Sequence, residues 1–197
     1  MSFASLPFVG LVAAGVILYY LVPKKLQWVV LLLASMVFYL AGGVKSAVWL
    51  VLVAAVTWLT GLLLARQNAR PAPDKQTKAA VRRVKKRICA VCAVLCFGLL
   101  YLMKYWNFPA SALPSALGDK LPRWDFVVPM GLSYFIFQAV GYVIDVYRGK
   151  TDAQKNPLRY GLFVSFFPQM VQGPISRYDQ LAPQLTAERS RSGRAHV

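Results

Sequence analysis

Between Phe3 and Ile144 the chain alternates long uncharged apolar runs with short polar or basic punctuation. The runs are Phe3 to Val22, Leu26 to Val44, Ser46 to Ala65, Ile88 to Met103 and Phe126 to Ile144. At 1.5 Å per helical residue each crosses, or nearly crosses, about 30 Å of hydrocarbon. The fourth gains length through the interfacial residues Tyr105 and Trp106. Backbone polar groups have no water partners in a bilayer core, so these runs predict helices. Nothing alternates with period two, which argues against a membrane barrel. The predicted fold is an all-α polytopic membrane protein, with about five transmembrane helices plus a broken or re-entrant helix.

The last of these elements comes from NPLRYGLFVSFFPQMVQGPISRYDQLAPQL. Asn156-Pro157 is a helix start, an N-cap followed by proline at the first helical position. The run from Pro157 then meets Pro168, which breaks or kinks a helix. Eleven residues rise about 16 Å, half a bilayer. Gln169, Gln172, Gly173, Pro174 and Arg177 follow. Irregular backbone beside apolar sequence is tolerated at membrane depth only when buried in protein or lining a cavity. The competing reading is an interfacial helix and loop without a cavity.

The fifth run carries a second irregularity. Tyr134, Gln138, Gly141 and Asp145 are spaced i, i+4, i+7 and i+11, one helical stripe that is polar or small among Phe, Ile and Val. A mid-bilayer Gln is costly without a partner or a wet cavity. The stripe faces either a substrate channel or a neighbouring helix to which it simply hydrogen-bonds. Asp125 is the expected cap of this helix, with Pro129 in its first turn.

Composition fits a membrane protein and adds an orientation. Of 197 residues 57% are hydrophobic and 15% charged, where soluble domains carry about a quarter charged. The charge is lopsided, 23 Lys+Arg against 7 Asp+Glu for a net +16. A nucleic-acid-binding domain shares such a balance but not the spanning runs, so no nucleic-acid partner is expected. Segments 24–25, 66–87 and 148–159 lie on one side by parity and hold 15 basic residues, against four on the other. The positive-inside rule puts the N-terminus outside and the basic segment 66–87 in the cytoplasm. The start, MSFASLPFVG, has no basic residue before its apolar run, so it reads as a retained helix rather than a cleaved signal.

Within 66–87 nine basic residues accompany one acid, Asp74. Val81, Val84 and Ile88 recur at helical spacing among Arg82, Arg83, Lys85, Lys86 and Arg87. The functional reading is an interfacial helix that attracts anionic lipids, at about 1 kcal/mol per basic residue. The simpler reading is a topology anchor. Cys89, Cys92 and Cys96 have metal-like spacing, but a zinc site needs a fourth ligand and His196 stands in the polar tail. They read as small apolar residues of a helix, and no metal site is expected.

Two linked blocks carry a resemblance. One is Val128-Pro129-Met130-Gly131-Leu132-Ser133-Tyr134-Phe135 through Phe137-Gln138, with Tyr142-Val143-Ile144-Asp145-Val146-Tyr147-Arg148. The other is Phe163-Val164-Ser165-Phe166-Phe167-Pro168-Gln169 through Gly173-Pro174-Ile175, with Arg177 and Tyr178. In order and separation they resemble the membrane-bound O-acyltransferase family, in its bacterial alginate O-acetyltransferase-like branch. The resemblance implies a membrane enzyme that carries an acyl group, usually acetyl, from a cytoplasmic donor such as acetyl-CoA to an extracytoplasmic polysaccharide or cell-envelope acceptor. It also implies a tunnel through the protein and a separate extracytoplasmic acyltransferase partner. Family members are more than twice this length and use a histidine in their second half, a sensible general base for an acceptor hydroxyl. That role is not carried onto His196, whose surroundings, TAERSRSGRAHV, do not resemble the family's continuation.

The sequence therefore predicts an N-terminal portion of such an enzyme over 1–184, inactive alone, followed by a disordered or frameshifted tail over 185–197. It names no catalytic residue and no bound cofactor. Tyr134, Gln138, Gln169, Gln172 and Arg177 are the candidates for tunnel lining. A non-catalytic scaffold or transporter-like subunit is the alternative, because a polar stripe and a broken helix suit a transport path equally well.

Overall fold

The computed structural model describes residues 6–71, 74–105, 128–129, 131–172 and 176–186. Among them every regular element is helical. The helices are α1 (Leu6–Leu21), α2 (Gln27–Ala41), α3 (Val44–Asn68), α4 (Lys75–Tyr105), α5 (Leu132–Arg148), α6 (Pro157–Ser165), α7 (Phe167–Gln172) and α8 (Tyr178–Thr186). Among the described residues three stretches are long and apolar enough to cross a membrane: Lys24–Ala41, Val44–Asn68 and Lys75–Tyr105. The described parts of α1 and α5 are shorter, with 16 and 17 residues. Large apolar side chains such as Val9, Ile17, Leu33, Val51, Val94 and Leu95 stand exposed, as they do on a surface that meets lipid.

α5 is the hub. It packs against α3 and α4, and its inward residues Phe135, Ile136, Ala139, Val143 and Val146 are almost wholly buried. Its start differs from the sequence expectation. Pro129 precedes the helix, its carbonyl accepting from the Leu132 N–H at 3.1 Å, and Gly131 takes a left-handed turn with φ of 72° before the helix begins. The positive φ selects glycine there and sets the entry angle. The expected cap Asp125 lies outside the described residues.

The basic segment 66–87 is largely helical. Arg66 to Asn68 close α3, and Lys75 to Arg87 are the first half of α4, a continuous helix of 31 residues. Between Asp74 and Tyr105 stand mostly Lys, Arg, Ala, Leu and Val with no proline and only Gly98, so nothing interrupts the spanning helix as it leaves the apolar layer.

The broken element is present. α6 has nine residues and rises about 13 Å. Asn156 caps it through Oδ1, which accepts from the Leu158 and Arg159 N–H groups at 2.9 and 3.4 Å. The helix stops at Ser165, Phe166 is extended with ψ of 96°, and α7 restarts at Phe167 with Pro168 in its first turn. α6 climbs along α2: Arg159 sits 5.6 Å from the Trp28 ring near one end of α2, and Phe167 stacks on Phe38 at 5.3 Å near the other. The chain then returns. Tyr178 lies 4.9 Å from both Phe163 and Tyr142, back beside the segment from which α6 set out. Entry and return share one end of the bundle, which makes the excursion re-entrant.

Candidate functional site

A helix that ends inside a bundle leaves its last carbonyls without intrahelical partners. In α6 these are the carbonyls from Leu162 onward, in a stretch where Leu162, Phe163, Val164 and Ser165 are all buried in protein. Gln138 answers this need. It is 2% exposed, and its Nε2 donates to the Phe163 carbonyl at 3.1 Å. One turn earlier on α5, the Tyr134 hydroxyl donates to Gln169 Oε1 at 3.3 Å, and Gln169 Nε2 donates to Ser176 Oγ at 2.8 Å. The polar stripe of α5 thus clasps both sides of the break, and Gln169 ties the outgoing limb to the returning one. Ser165 Oγ is buried at the break without a hydrogen-bond partner.

A second polar cluster lies at the base of the excursion. Its centre is Gln154, in the connection between α5 and α6. The Gln154 backbone N–H donates to the Tyr142 hydroxyl at 2.9 Å, and its carbonyl accepts from Trp58 Nε1 at 2.8 Å. Its side-chain Nε2 donates to the Tyr178 hydroxyl at 2.8 Å, while Oε1 accepts from the Asn156 N–H at 3.1 Å. Beside it the wholly buried Tyr160 donates to Thr57 Oγ1 at 2.8 Å, and Thr57 passes a bond to the Val53 carbonyl at 2.7 Å. Tyr142, Tyr160, Tyr178 and Phe163 form one ring cluster around these bonds, with Tyr142 and Tyr160 centroids 4.6 Å apart. A dipping connection is tolerated in this setting because its polar groups are satisfied by aromatic hydroxyls and an indole N–H.

Two cavities flank the excursion. An apolar groove of about 400 Å³ opens between α1, α2 and the break, lined by Val16, Tyr19, Leu31, Phe167, Pro168 and Leu185 among others. A more polar cleft of about 470 Å³ sits over Gln154, between Thr151, Asp152, Lys155, Tyr178 and Asp179.

Of the residues singled out in the sequence, the structure brings Tyr134, Gln138 and Gln169 together at the break. It does not bring Arg177 into that cluster, since its side chain is exposed. Gln172 closes α7, and its side chain lies outside the described residues, as do Gly173, Pro174, Ile175 and His196. Asp145, at the far end of the stripe, takes no part in the clasp. Its backbone carbonyl accepts from the Lys150 N–H at 3.0 Å at the end of α5. The sequence reading missed Gln154, Tyr142, Tyr160, Trp58 and Thr57. Thr57 and Trp58 sit in a spanning run, where a lone hydroxyl or indole passes as ordinary composition. Among the described residues no group of three metal-ligating side chains converges. Cys92 and Cys96 are buried in α4 and Cys89 is half-buried, all three as free thiols.

The hydrogen bonds of Tyr134, Gln138 and Gln169 hold the broken backbone in place and leave a groove beside it.

No family model matches the chain, and no solved structure matches it. Several curated proteins do. The chain is 30% identical over 171 residues to "Probable alginate O-acetylase AlgI" of Pseudomonas syringae pv. tomato, covering 85% of this chain and 31% of that protein. It is 34% identical over 176 residues to the protein of the same name in Azotobacter vinelandii, covering 85% and 32%. It is 27% identical over 110 residues to "Peptidoglycan O-acetyltransferase" of Helicobacter pylori, covering 44% and 21%. The chain therefore spans about a third of the length of the alginate O-acetylases it matches. It resembles the N-terminal part of a membrane-bound O-acyltransferase of the alginate O-acetyltransferase-like branch.

Proposed function

We propose that this chain is the membrane-embedded N-terminal portion of an O-acetyltransferase that passes an acetyl group from a cytoplasmic donor, such as acetyl-CoA, to an extracytoplasmic polysaccharide or other cell-envelope acceptor. The observation that carries the reading is the broken α6–α7 element, held at depth by Tyr134, Gln138 and Gln169. Such a construction costs desolvation and hydrogen-bond geometry, and a protein that only needed a sixth apolar helix has cheaper solutions. A broken element edged by polar side chains is what a passage for a polar group requires, and the relatives are acetyltransferases by name. Tyr134, Gln138, Gln169, Gln172 and Arg177 are the residues we assign to the wall of that passage.

In this reading the chain positions and the remainder of the enzyme reacts. Abstraction of a proton from an acceptor hydroxyl needs a base that titrates near neutral pH, typically imidazole. Among the described residues there is no histidine. His196, the one histidine of the sequence, is not assigned that role, so in this reading the chain alone is inactive and the general base is supplied by the part of the enzyme that the relatives carry beyond the matched length. We place the N-terminus outside and the basic segment 66–87 in the cytoplasm of the bacterial inner membrane, where it attracts anionic lipid. An extracytoplasmic acyltransferase that takes over the acetyl group completes the assignment.

The experiment is an acetyl-transfer assay on membranes that contain the chain with and without the C-terminal remainder of an alginate O-acetylase relative. Transfer only in the combined membranes is expected. Robust turnover by the chain alone overturns its assignment as a supporting part. Stable membranes that never acetylate with any remainder favour the scaffold or transporter-like reading instead.

A further inference from the structure

Where α3, α4 and α5 leave the apolar layer together they do not close on one another. They leave a cleft of about 390 Å³ lined by Gln67, Asn68, Arg70, Lys78, Val81, Arg82, Lys85 and Tyr147. Four of these are cations, and none of the lining residues is a carboxylate. The walls are held in place. Asn68 Nδ2 donates to the Val146 carbonyl at 3.1 Å, which fixes the end of α3 on α5, and the Lys85 ammonium lies 5.2 Å from the Tyr147 ring. Gln67, one of the lining residues, has a buried Oε1 with no hydrogen-bond partner. A buried acceptor is stabilised by a hydrogen-bond donor, and a hydroxyl seated beside it can be that donor.

Four cations that converge without a counter-charge repel one another, and that repulsion is relieved by an anion seated between them. Arg and Lys side chains of this kind take phosphate oxygens by charge-assisted hydrogen bonds. Gln67 Oε1 asks in addition for a hydroxyl donor close to the anion. We propose that this cleft is a binding site for a phosphate group with a neighbouring hydroxyl, either the headgroup of an anionic phospholipid or a soluble organic phosphate. The proposal deepens the attraction of segment 66–87 for anionic lipid stated above and rests on it. It differs in confining the binding to one face of α4 and in requiring Gln67, Arg70 and Tyr147 from the two neighbouring helices and the end of α3.

Arg83 and Lys86 provide the control, since they stand on the same turns of α4 and do not line the cleft. The chain is placed in phosphatidylcholine nanodiscs with a small fraction of phosphatidylglycerol, and retained lipid is counted by native mass spectrometry. One phosphatidylglycerol held per chain is expected. R82Q/K85Q weakens retention by about 25-fold, from two basic residues that each contribute about fivefold. R83Q/K86Q, with the same loss of charge, stays within about twofold. Gln67→Leu, which keeps every cation, weakens retention less than R82Q/K85Q but measurably. Inorganic pyrophosphate separates the sources. If it displaces the lipid the cleft takes free phosphates, and if the lipid stays the cleft takes the headgroup. Equal losses in the two double variants overturn the cleft while leaving diffuse attraction in place. No preference for phosphatidylglycerol in the unaltered chain, with no binding of pyrophosphate, overturns both.

Discussion

The ring of Tyr142 on α5 lies directly on the bare backbone of Gly61 on α3: a Cβ at position 61 would stand 2.8 Å from both the Cε1 and the hydroxyl oxygen of Tyr142. Real Cβ contacts do not reach that distance, so any side chain at 61 displaces the ring. Tyr142 has little room to yield, because it is 1% exposed and its ring is flanked by Tyr160 and Tyr178. Gly61→Ala gains up to about 1 kcal/mol of helix propensity and loses about 1–3 kcal/mol to overpacking. The expected net is a lower thermal midpoint in detergent. Gly98→Ala, where nothing lies within 4 Å, keeps the propensity gain without the clash and is expected to hold or raise the midpoint. A G61A chain as stable as G98A would show that the two helices do not meet as described.

The same tyrosine fixes the connection between α5 and α6. Its hydroxyl accepts the Gln154 N–H, and Tyr142→Phe leaves that donor without its partner. An unsatisfied buried donor costs about 1–3 kcal/mol, and the cheapest escape is for the connection to lift toward water. Faster amide hydrogen exchange over 151–156 is expected in the variant, with α2 and α3 unchanged. Gln154→Ala removes a different pair of bonds, those to Tyr178 and Asn156, and is expected to raise exchange in α8 as well. Unchanged exchange in both variants would remove Gln154 from its role as the knot.

How much of this was legible in the sequence follows from what the residues cost. Gln138 and Gln169 announce themselves because a primary amide in an apolar run is expensive unless something meets it. The break was legible from Pro168 and the capped start at Asn156-Pro157, and the structure moves its position only slightly, to Phe166. The start of α5 was misplaced because a proline in a first turn and a proline just before a left-handed glycine look alike in sequence. The helical spacing of Val81, Val84 and Ile88 was legible within segment 66–87, but not that the helix starts at Lys75 and runs unbroken into the next span, as good helix formers such as Lys and Arg allow. The Gln154 cluster was not legible at all. Its partners are 96 residues away at Trp58 and 24 away at Tyr178, and no local period connects them.

Gln138 offers a direct test of why a polar residue is kept at depth. Its donation to the Phe163 carbonyl is worth about 0.6 kcal/mol if it behaves as the average interhelical bond in a bilayer, and up to about 1.7 if the carbonyl has no other recourse. Gln138→Leu is therefore expected to destabilise the chain by no more than about 2 kcal/mol, since leucine fills similar space. Gln138→Glu is expected to be worse than leucine. An ionised carboxyl cannot donate to a carbonyl, and a protonated one is bought with a desolvation cost. The order of midpoints Gln, Leu, Glu from highest to lowest, measured by thermal unfolding in detergent, checks the assignment. Leucine above glutamine would mean that the amide is retained for a function and not for the fold.

The re-entrant path makes the sharpest prediction, because a straight sixth span and an excursion that turns back give opposite topologies. Lys155 precedes α6 and Arg177 precedes α8, and the side chains of both are exposed. In the structure the residues adjoining them meet, with Gln154 Nε2 donating to the Tyr178 hydroxyl at 2.8 Å. Both positions therefore lie at the same end of the bundle, although up to 13 Å of α6 and all of α7 separate them along the chain. With Cys89, Cys92 and Cys96 replaced by alanine, Lys155→Cys and Arg177→Cys are each labelled with a membrane-impermeant maleimide in intact cells and in inverted vesicles. Both are expected to label only in inverted vesicles, on the side of the basic segment. Labelling of Arg177→Cys from the outside of intact cells, with Lys155→Cys protected, would turn the excursion into a span. It would also remove the clasp of Tyr134, Gln138 and Gln169 from the proposed passage.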